Sequence, residues 1–163
     1  MDITIRRALS EDADDYAICS ILCWQLAYKE IVPDEFLTNM LLEKKQRAEK
    51  FRKSFADPRN IHSYCVLYDK KMIGFLIIDI LNAEIWAIYL IEEFWGKGYG
   101  KEILDFVINE LKRLQPKEIF LWVFEGNNKA RQFYEKNNFH FDGTTREREY
   151  GKSLVQLRYV LKL

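Results

Sequence analysis

Apolar positions along this chain change period several times, and each change marks an element. Ile3 and Ile5 alternate with polar neighbours and predict a short first strand ending at Arg6-Arg7. Ile18, Ile21, Leu22, Trp24, Leu26 and Tyr28 then fall at helical spacing, so the chain from about Ser10 to Lys29 is expected to be a helix. Ser10 is placed to cap it, and Glu11, Asp12, Asp14 and Asp15 suit the positive end of its dipole. Those acids are also a candidate for holding a cationic substrate. Pro33-Asp34 opens a second helical region, Glu35 to Met40. The charged segment Glu43 to Ser54, with Phe51 and Phe55 four apart, reads as a helix with one solvated face, broken by Asp57-Pro58-Arg59-Asn60.

Alternation returns from Ile61. Strands are expected over Ile61 to Tyr68 and Lys71 to Leu81, joined at Asp69-Lys70, with Gly74 marking a bulge or close packing. Asn82-Ala83 turns the chain into a third strand, Glu84 to Ile91, completing an antiparallel meander. Ile103, Leu104, Val107, Ile108, Leu111 and Leu114 make one apolar stripe, predicting a helix from Gly98 to Leu114 that stops at Gln115-Pro116. Glu118 to Phe124 reads as a strand, Asn127 to Asn137 as a short helix, and His140 to Thr145 and Leu154 to Leu161 as closing strands. The order predicts an α/β fold: a mixed, mainly antiparallel twisted sheet of about seven strands flanked by helices. With no repeat, linker or low-complexity tract, residues 1–163 read as one domain.

Composition narrows the partners. The 163 residues are 48% hydrophobic and 31% charged, with a formal net charge of zero. No global field draws the chain to nucleic acid or to an anionic membrane, so an anion site has to be local. The three cysteines, Cys19, Cys23 and Cys65, have no partner histidines at metal-ligand spacing and read as core thiols, with no metal implied. Their odd number and the absence of a secretory leader point to reduced thiols and a cytoplasmic setting. No apolar run approaches the ~20 residues that span a bilayer.

The most informative motif is Gly96-Lys97-Gly98-Tyr99-Gly100-Lys101, set between a strand and a helix. Glycines let backbone approach a ligand closely, and the first-turn amides of the helix face it with the positive dipole end. The ligand should carry phosphate. A dinucleotide fingerprint needs Gly-x-Gly-x-x-Gly after the first strand of a βαβ unit, and a Walker loop needs Gly-x-x-x-x-Gly-Lys-Ser/Thr; neither string occurs. The segment Phe94 to Gly100 instead resembles the acetyl-CoA signature of the GCN5-related N-acetyltransferase family, Gln/Arg-x-x-Gly-x-Gly/Ala, with Trp95 where Gln or Arg is usual. Asn127 to Phe139 is similar to a second block of that family, Asn-x-x-Ala-x-x-x-Tyr-x-x-x-Gly-Phe. Asn127, Ala130, Tyr134 and Phe139 are in register, and Asn138 replaces Gly.

The resemblance implies the family's fold, acetyl-CoA as co-substrate, and direct acetyl transfer to the amine of a small molecule or peptide in a ternary complex. A lysine-like or polyamine amine, with a pKa near ~10.4, is mostly protonated at neutral pH and must lose a proton before or during attack, so a base is needed. Glu84, fourteen residues before Gly98, stands in the register of the family's base glutamate, ahead of Glu92 and Glu93. The resemblance places backbone of Ile88, Tyr89 and Leu90 along the pantetheine arm and thioester, with the Leu90 amide as oxyanion donor. It places Tyr134 as the acid for the leaving thiolate. Trp95, Gly96, Lys97, Gly98, Tyr99, Gly100 and Lys101 would hold the phosphates, and Asn127 and Ala130 the arm. Trp24 and Tyr28, with Ile31, Phe36 and Tyr150, are candidates for an aromatic acceptor wall. The competing reading is a catalytically weak CoA-binding or protein-interaction module on the same fold. The acceptor is open, and the exposed strands of such a sheet suit a homodimer.

Overall fold

The computed structural model describes residues 2–163. One sheet runs through it, in the strand order β1 (Thr4–Arg7), β2 (Ile61–Tyr68), β3 (Lys71–Asp79), β4 (Glu84–Leu90), β5 (Glu118–Phe124), β7 (Ser153–Lys162), β6 (His140–Glu149). All neighbours pair antiparallel except β4 and β5, which are parallel because helix α4 (Tyr99–Lys112) carries the chain back between them. Helices α1 (Ala13–Tyr28), α2 (Asp34–Leu42) and α3 (Lys44–Ala56) precede β2, and α5 (Asn128–Lys136) follows β5.

The helices cover both faces, and strand alternation shows how. On β3, Leu76 and Ile78 join the core beneath α4, with Ile103, Leu104, Val107 and Leu111. Phe75 and Ile77 join the core beneath α1 and α3, with Tyr16, Cys19, Cys23, Phe51 and Phe55. A central strand buried on both faces reads as a near-continuous apolar run, as Met72 to Ile78 does. Gly74 is a close-approach position: a Cβ there would lie 2.3 Å from the carbonyl oxygen of Tyr89. All three cysteines are buried free thiols.

Several boundaries differ from the sequence reading by a residue or two, and four differences have a visible cause or consequence. Ser10 does not cap α1; Ser10–Asp12 is a short 3-10 turn, and the Asp12 carboxylate takes the Leu9 amide at 2.7 Å and both terminal nitrogens of Arg6. Two of the first-turn acids therefore tie elements together, Asp12 through Arg6 and Asp14 by pairing to Arg52 on α3 at 2.8 Å. β3 ends at Asp79, whose carboxylate accepts the amides of Leu81 and Asn82 and so turns the chain early. α4 ends at Lys112, leaving Leu114 outside the apolar stripe and exposed. β6 runs on to Glu149, because Arg146 to Glu149 pair with β7. As the sheet's edge, β6 presents Thr-Arg-Glu-Arg-Glu to its surroundings with no apolar alternation to announce it.

Candidate functional site

The site begins with a register shift. Ile77 pairs with Ala87 and Ile78 with Ile85, so Trp86 is an extra residue in β4, a β-bulge. Ile85 and Ile88 consequently face the same core although they are three apart. Beyond the bulge the parallel pairing with β5 ceases: Glu84 pairs with Phe120 and Ile85 with Leu121, and no later pair forms. The two strands splay. The Ile91 amide donates to Ile73 on β3 at 2.9 Å, so by alternation the amides of Ile88 and Leu90 point the other way, toward the gap.

The gap is a cavity of about 550 Å³, and it takes walls from both helix layers. Cys23, Ala27 and Tyr28 come from α1, and Ala130, Phe133 and Tyr134 from α5. At one end stands the glycine turn. Gly96 and Gly98 have φ of +72° and +88°, a left-handed region that L side chains rarely enter, and a Cβ built on either would meet nothing within 4 Å. Open space thus lies above the turn, as a close-binding phosphate group requires. Gly98 and Gly100 line the cavity at the start of α4. The indole of Trp95 also lines it, with its Nε1 donating to the Leu90 carbonyl at 2.8 Å and Lys129 lying 3.7 Å over its ring. Lys101 lines the cavity while ion-paired with Asp105. Lys97 instead lies 5.1 Å over the Phe94 ring, and Tyr99 packs against Tyr68 and Phe94; neither side chain is part of the lining.

Asn127 caps α5, its side-chain oxygen accepting the Ala130 amide at 3.2 Å, and it also lines the cavity. Tyr134 is 9% exposed and packs edge-on against Phe133 and Phe139. Burial, with Tyr28 nearby, raises its hydroxyl above the ordinary phenol range, so it stays protonated at neutral pH. Asn138 takes φ of +67°, supplying the left-handed residue that the Gly-to-Asn replacement needed at this helix end.

Glu84 opens onto a second cavity of about 400 Å³ on the α1 face of the sheet. Tyr28, Ile85, Trp86, Tyr89 and Trp122 border both cavities and separate them. The Tyr28 and Tyr89 hydroxyls meet at 2.5 Å across this partition. Burial pushes Tyr28 up to about 12 and raises Tyr89 well above its usual range. Burial likewise raises the Glu84 carboxyl, opposed in part by the Trp86 side chain and then by the charge of Arg146. Trp24, Tyr28 and Tyr150, three of the candidates for an acceptor wall, line this second cavity, with ring centroids of Trp24 4.8 Å from Tyr28 and 5.5 Å from Tyr150. Ile31 and Phe36 pack behind it in the core.

Several lining residues were not anticipated from sequence. Trp86 and Trp122 needed the bulge and the splay to be placed. Arg146, Arg148 and Gln156 needed the pairing of β6 with β7, since the stretch holding both arginines carries no strand periodicity.

With this geometry in hand, comparison with known proteins is specific. Residues 24–139 match the Acetyltransferase (GNAT) family. The spermidine N(1)-acetyltransferase of Thermoplasma acidophilum is 26% identical over 148 residues, covering 88% of this chain and 92% of that protein. The uncharacterized N-acetyltransferase YuaI of Bacillus subtilis is 28% identical over 134 residues, covering 77% of this chain and 73% of that protein. In structure, the PaiA N-acetyltransferase from T. acidophilum, crystallised in complex with coenzyme A, superposes with a TM-score of 0.80 over the full length of both chains at 23% identity. Glycine turn, splayed strands and family match agree: this chain belongs to the GNAT acetyltransferase family.

Proposed function

We propose that residues 1–163 act as one domain that moves an acetyl group from acetyl-CoA to the primary amine of a small molecule or peptide, by direct attack in a ternary complex. The observation that carries this reading is the separation of β4 from β5 after Ile85. It opens a cleft with the glycine turn and Tyr134 on one side and the Glu84 cavity across a thin partition. Two substrates entering from opposite sides would meet at that partition.

In this reading the amides above Gly96 and Gly98 and at the start of α4 hold the phosphates. Lys101 adds little beyond them, because Asp105 already neutralises it. The backbone of Ile88, Tyr89 and Leu90 runs beside the pantetheine arm, with Asn127 and Ala130 opposite. Glu84 takes the proton from the amine, directly or through water. Its raised pKa brings it closer to the working pH of a general base. The amine nitrogen attacks the thioester carbon, the Leu90 amide donates to the oxyanion, and the adduct's nitrogen gives up its second proton to solvent, where the proton on Glu84 also goes. As the C–N bond stays and the C–S bond breaks, the thiolate takes the phenol proton of Tyr134, which is then replaced from solvent. The named relatives, among them a spermidine acetyltransferase, support a small amine as acceptor. The buried thiols support a reducing, cytoplasmic setting.

Calorimetry with acetyl-CoA, followed by thiol release over a panel of amines, tests the proposal. Binding with turnover on at least one amine is expected. Tight binding without turnover on any amine would favour a CoA-binding module, and no binding would end the reading.

A further inference from the structure

The second cavity has the wrong charge for a polyamine. Its lining contains one carboxylate, Glu84, and two guanidinium groups, Arg146 and Arg148. These arginines are two residues apart on β6 and therefore share a face. Arg146 is fixed in place. Its Nε donates to Gln156 Oε1 at 2.8 Å, Gln156 being buried, and its guanidinium lies 4.1 Å over the Trp122 ring. Those two contacts use the Nε side and one flat face, leaving the terminal amino groups as a fork. Among the described residues, Asp12, Glu49, Asp14, Asp57, Glu110, Glu118 and Asp142 satisfy other arginines, and no carboxylate pairs with Arg146 or Arg148.

We propose that the acceptor is a primary amine that also bears a carboxylate, an amino-acid-type zwitterion whose anionic end is held by the Arg146 fork with Arg148 while its amine reaches Glu84. The inference rests on the acetyl-transfer reading of the same site. A planar carboxylate matches a guanidinium fork through two parallel hydrogen bonds. A polyamine, protonated at several nitrogens at neutral pH, would put further positive charge beside the half-buried Arg146 guanidinium and the exposed one of Arg148. A zwitterion answers both signs at once. Trp24 and Tyr150 offer an aromatic surface for its apolar part.

The test is thiol release from acetyl-CoA with matched acceptors: L-phenylalanine against 2-phenylethylamine, β-alanine against propylamine, and a short peptide against its C-terminal amide. Spermidine and O-phosphoethanolamine are added. The expected result is that, in at least one pair, the carboxylate-bearing member has kcat/KM about tenfold or more above its partner, and above spermidine. Arg146→Gln should collapse that ratio mainly through KM, and Arg146→Lys should restore part of it. Arg146→Glu combined with Arg148→Glu should turn the preference toward spermidine, a gain that misfolding cannot produce. Turnover with spermidine or plain amines above every carboxylate-bearing partner overturns this inference and leaves acetyl transfer intact. So does a preference for O-phosphoethanolamine over β-alanine, or a ratio unmoved by Arg146→Gln. Absence of thiol release with every amine overturns both readings together.

Discussion

The indole Nε1 of Trp95 donates to the carbonyl oxygen of Leu90 at 2.8 Å. This bond fastens the start of the glycine turn to the end of β4, on the side where β5 has withdrawn. A residue that departs from the family's usual Gln or Arg is thus a brace between the two backbone segments that the proposed mechanism uses most. Trp95→Phe keeps the ring and loses the bond. It should weaken acetyl-CoA binding by ~3- to 10-fold, the worth of one such hydrogen bond, without unfolding the protein. Calorimetry on the folded variant measures it, and unchanged affinity would reduce the brace to simple packing.

Tyr134→Phe removes the proposed acid and little else, because the ring's contacts with Phe133 and Phe139 remain. Turnover should fall by ~10²-fold or more with acetyl-CoA affinity nearly preserved. Pre-steady-state kinetics that show chemistry to be rate-limiting and turnover unaffected would remove Tyr134 from the mechanism.

Glu84 acts as a base only when deprotonated, so the rate should rise with pH through its pKa. Burial raises that pKa, which moves the acid limb of kcat/KM above the ordinary glutamate range of ~4.3. Glu84→Gln should lower the rate ~10²-fold and abolish the limb. A limb that persists in the variant belongs to another group.

Gly98 holds φ of +88° beside open space. Gly98→Ala should cost ~1–2 kcal/mol in stability from the left-handed backbone alone. Its methyl group would also enter the volume assigned to phosphate, so acetyl-CoA affinity should fall further than Trp95→Phe lowers it. Urea melts and calorimetry separate the two effects.

Asp12 joins β1 to the start of α1 through Arg6 and the Leu9 amide. Arg6 holds its carboxyl below the usual aspartate range. A depressed folded-state pKa contributes stability in full above the unfolded value of ~3.9 and loses it as pH falls through the folded value. Asp12→Ala should therefore cost ~1 kcal/mol at neutral pH, discounted for the exposure of Arg6. Its melting curve should approach that of the unaltered chain in acid. An equal difference at both pH values would assign the effect to packing.

Much of the fold was legible because local signals agreed. Alternation in Ile61 to Tyr68, the stripe on α4 and the Gly-x-Gly-x-Gly turn each follow from one backbone segment, and a period survives without tertiary information. Where the reading slipped, a long-range partner had taken over. Asp12 rather than Ser10 organises the start of α1 because Arg6 reaches it, and β6 extends to Glu149 because β7 supplies its hydrogen bonds. The candidate site divides in the same way. The glycine turn, Asn127 and Tyr134 were named from short motifs, and they converge on one cavity.

The sequence by itself determined the elements, their order and the donor-side cradle, since each depends on spacings of a few residues. Tertiary structure alone decided three things. It set where β4 leaves β5, because the Trp86 bulge is defined only against the register of β3. It put Glu84 in a cavity distinct from that of Tyr134, joined through a partition of five residues. It also brought Arg146 and Arg148, more than sixty residues away in the chain, to the same cavity as Glu84. Charge at an acceptor site is a sum over elements that meet only after folding, and no stretch of the chain carries that sum.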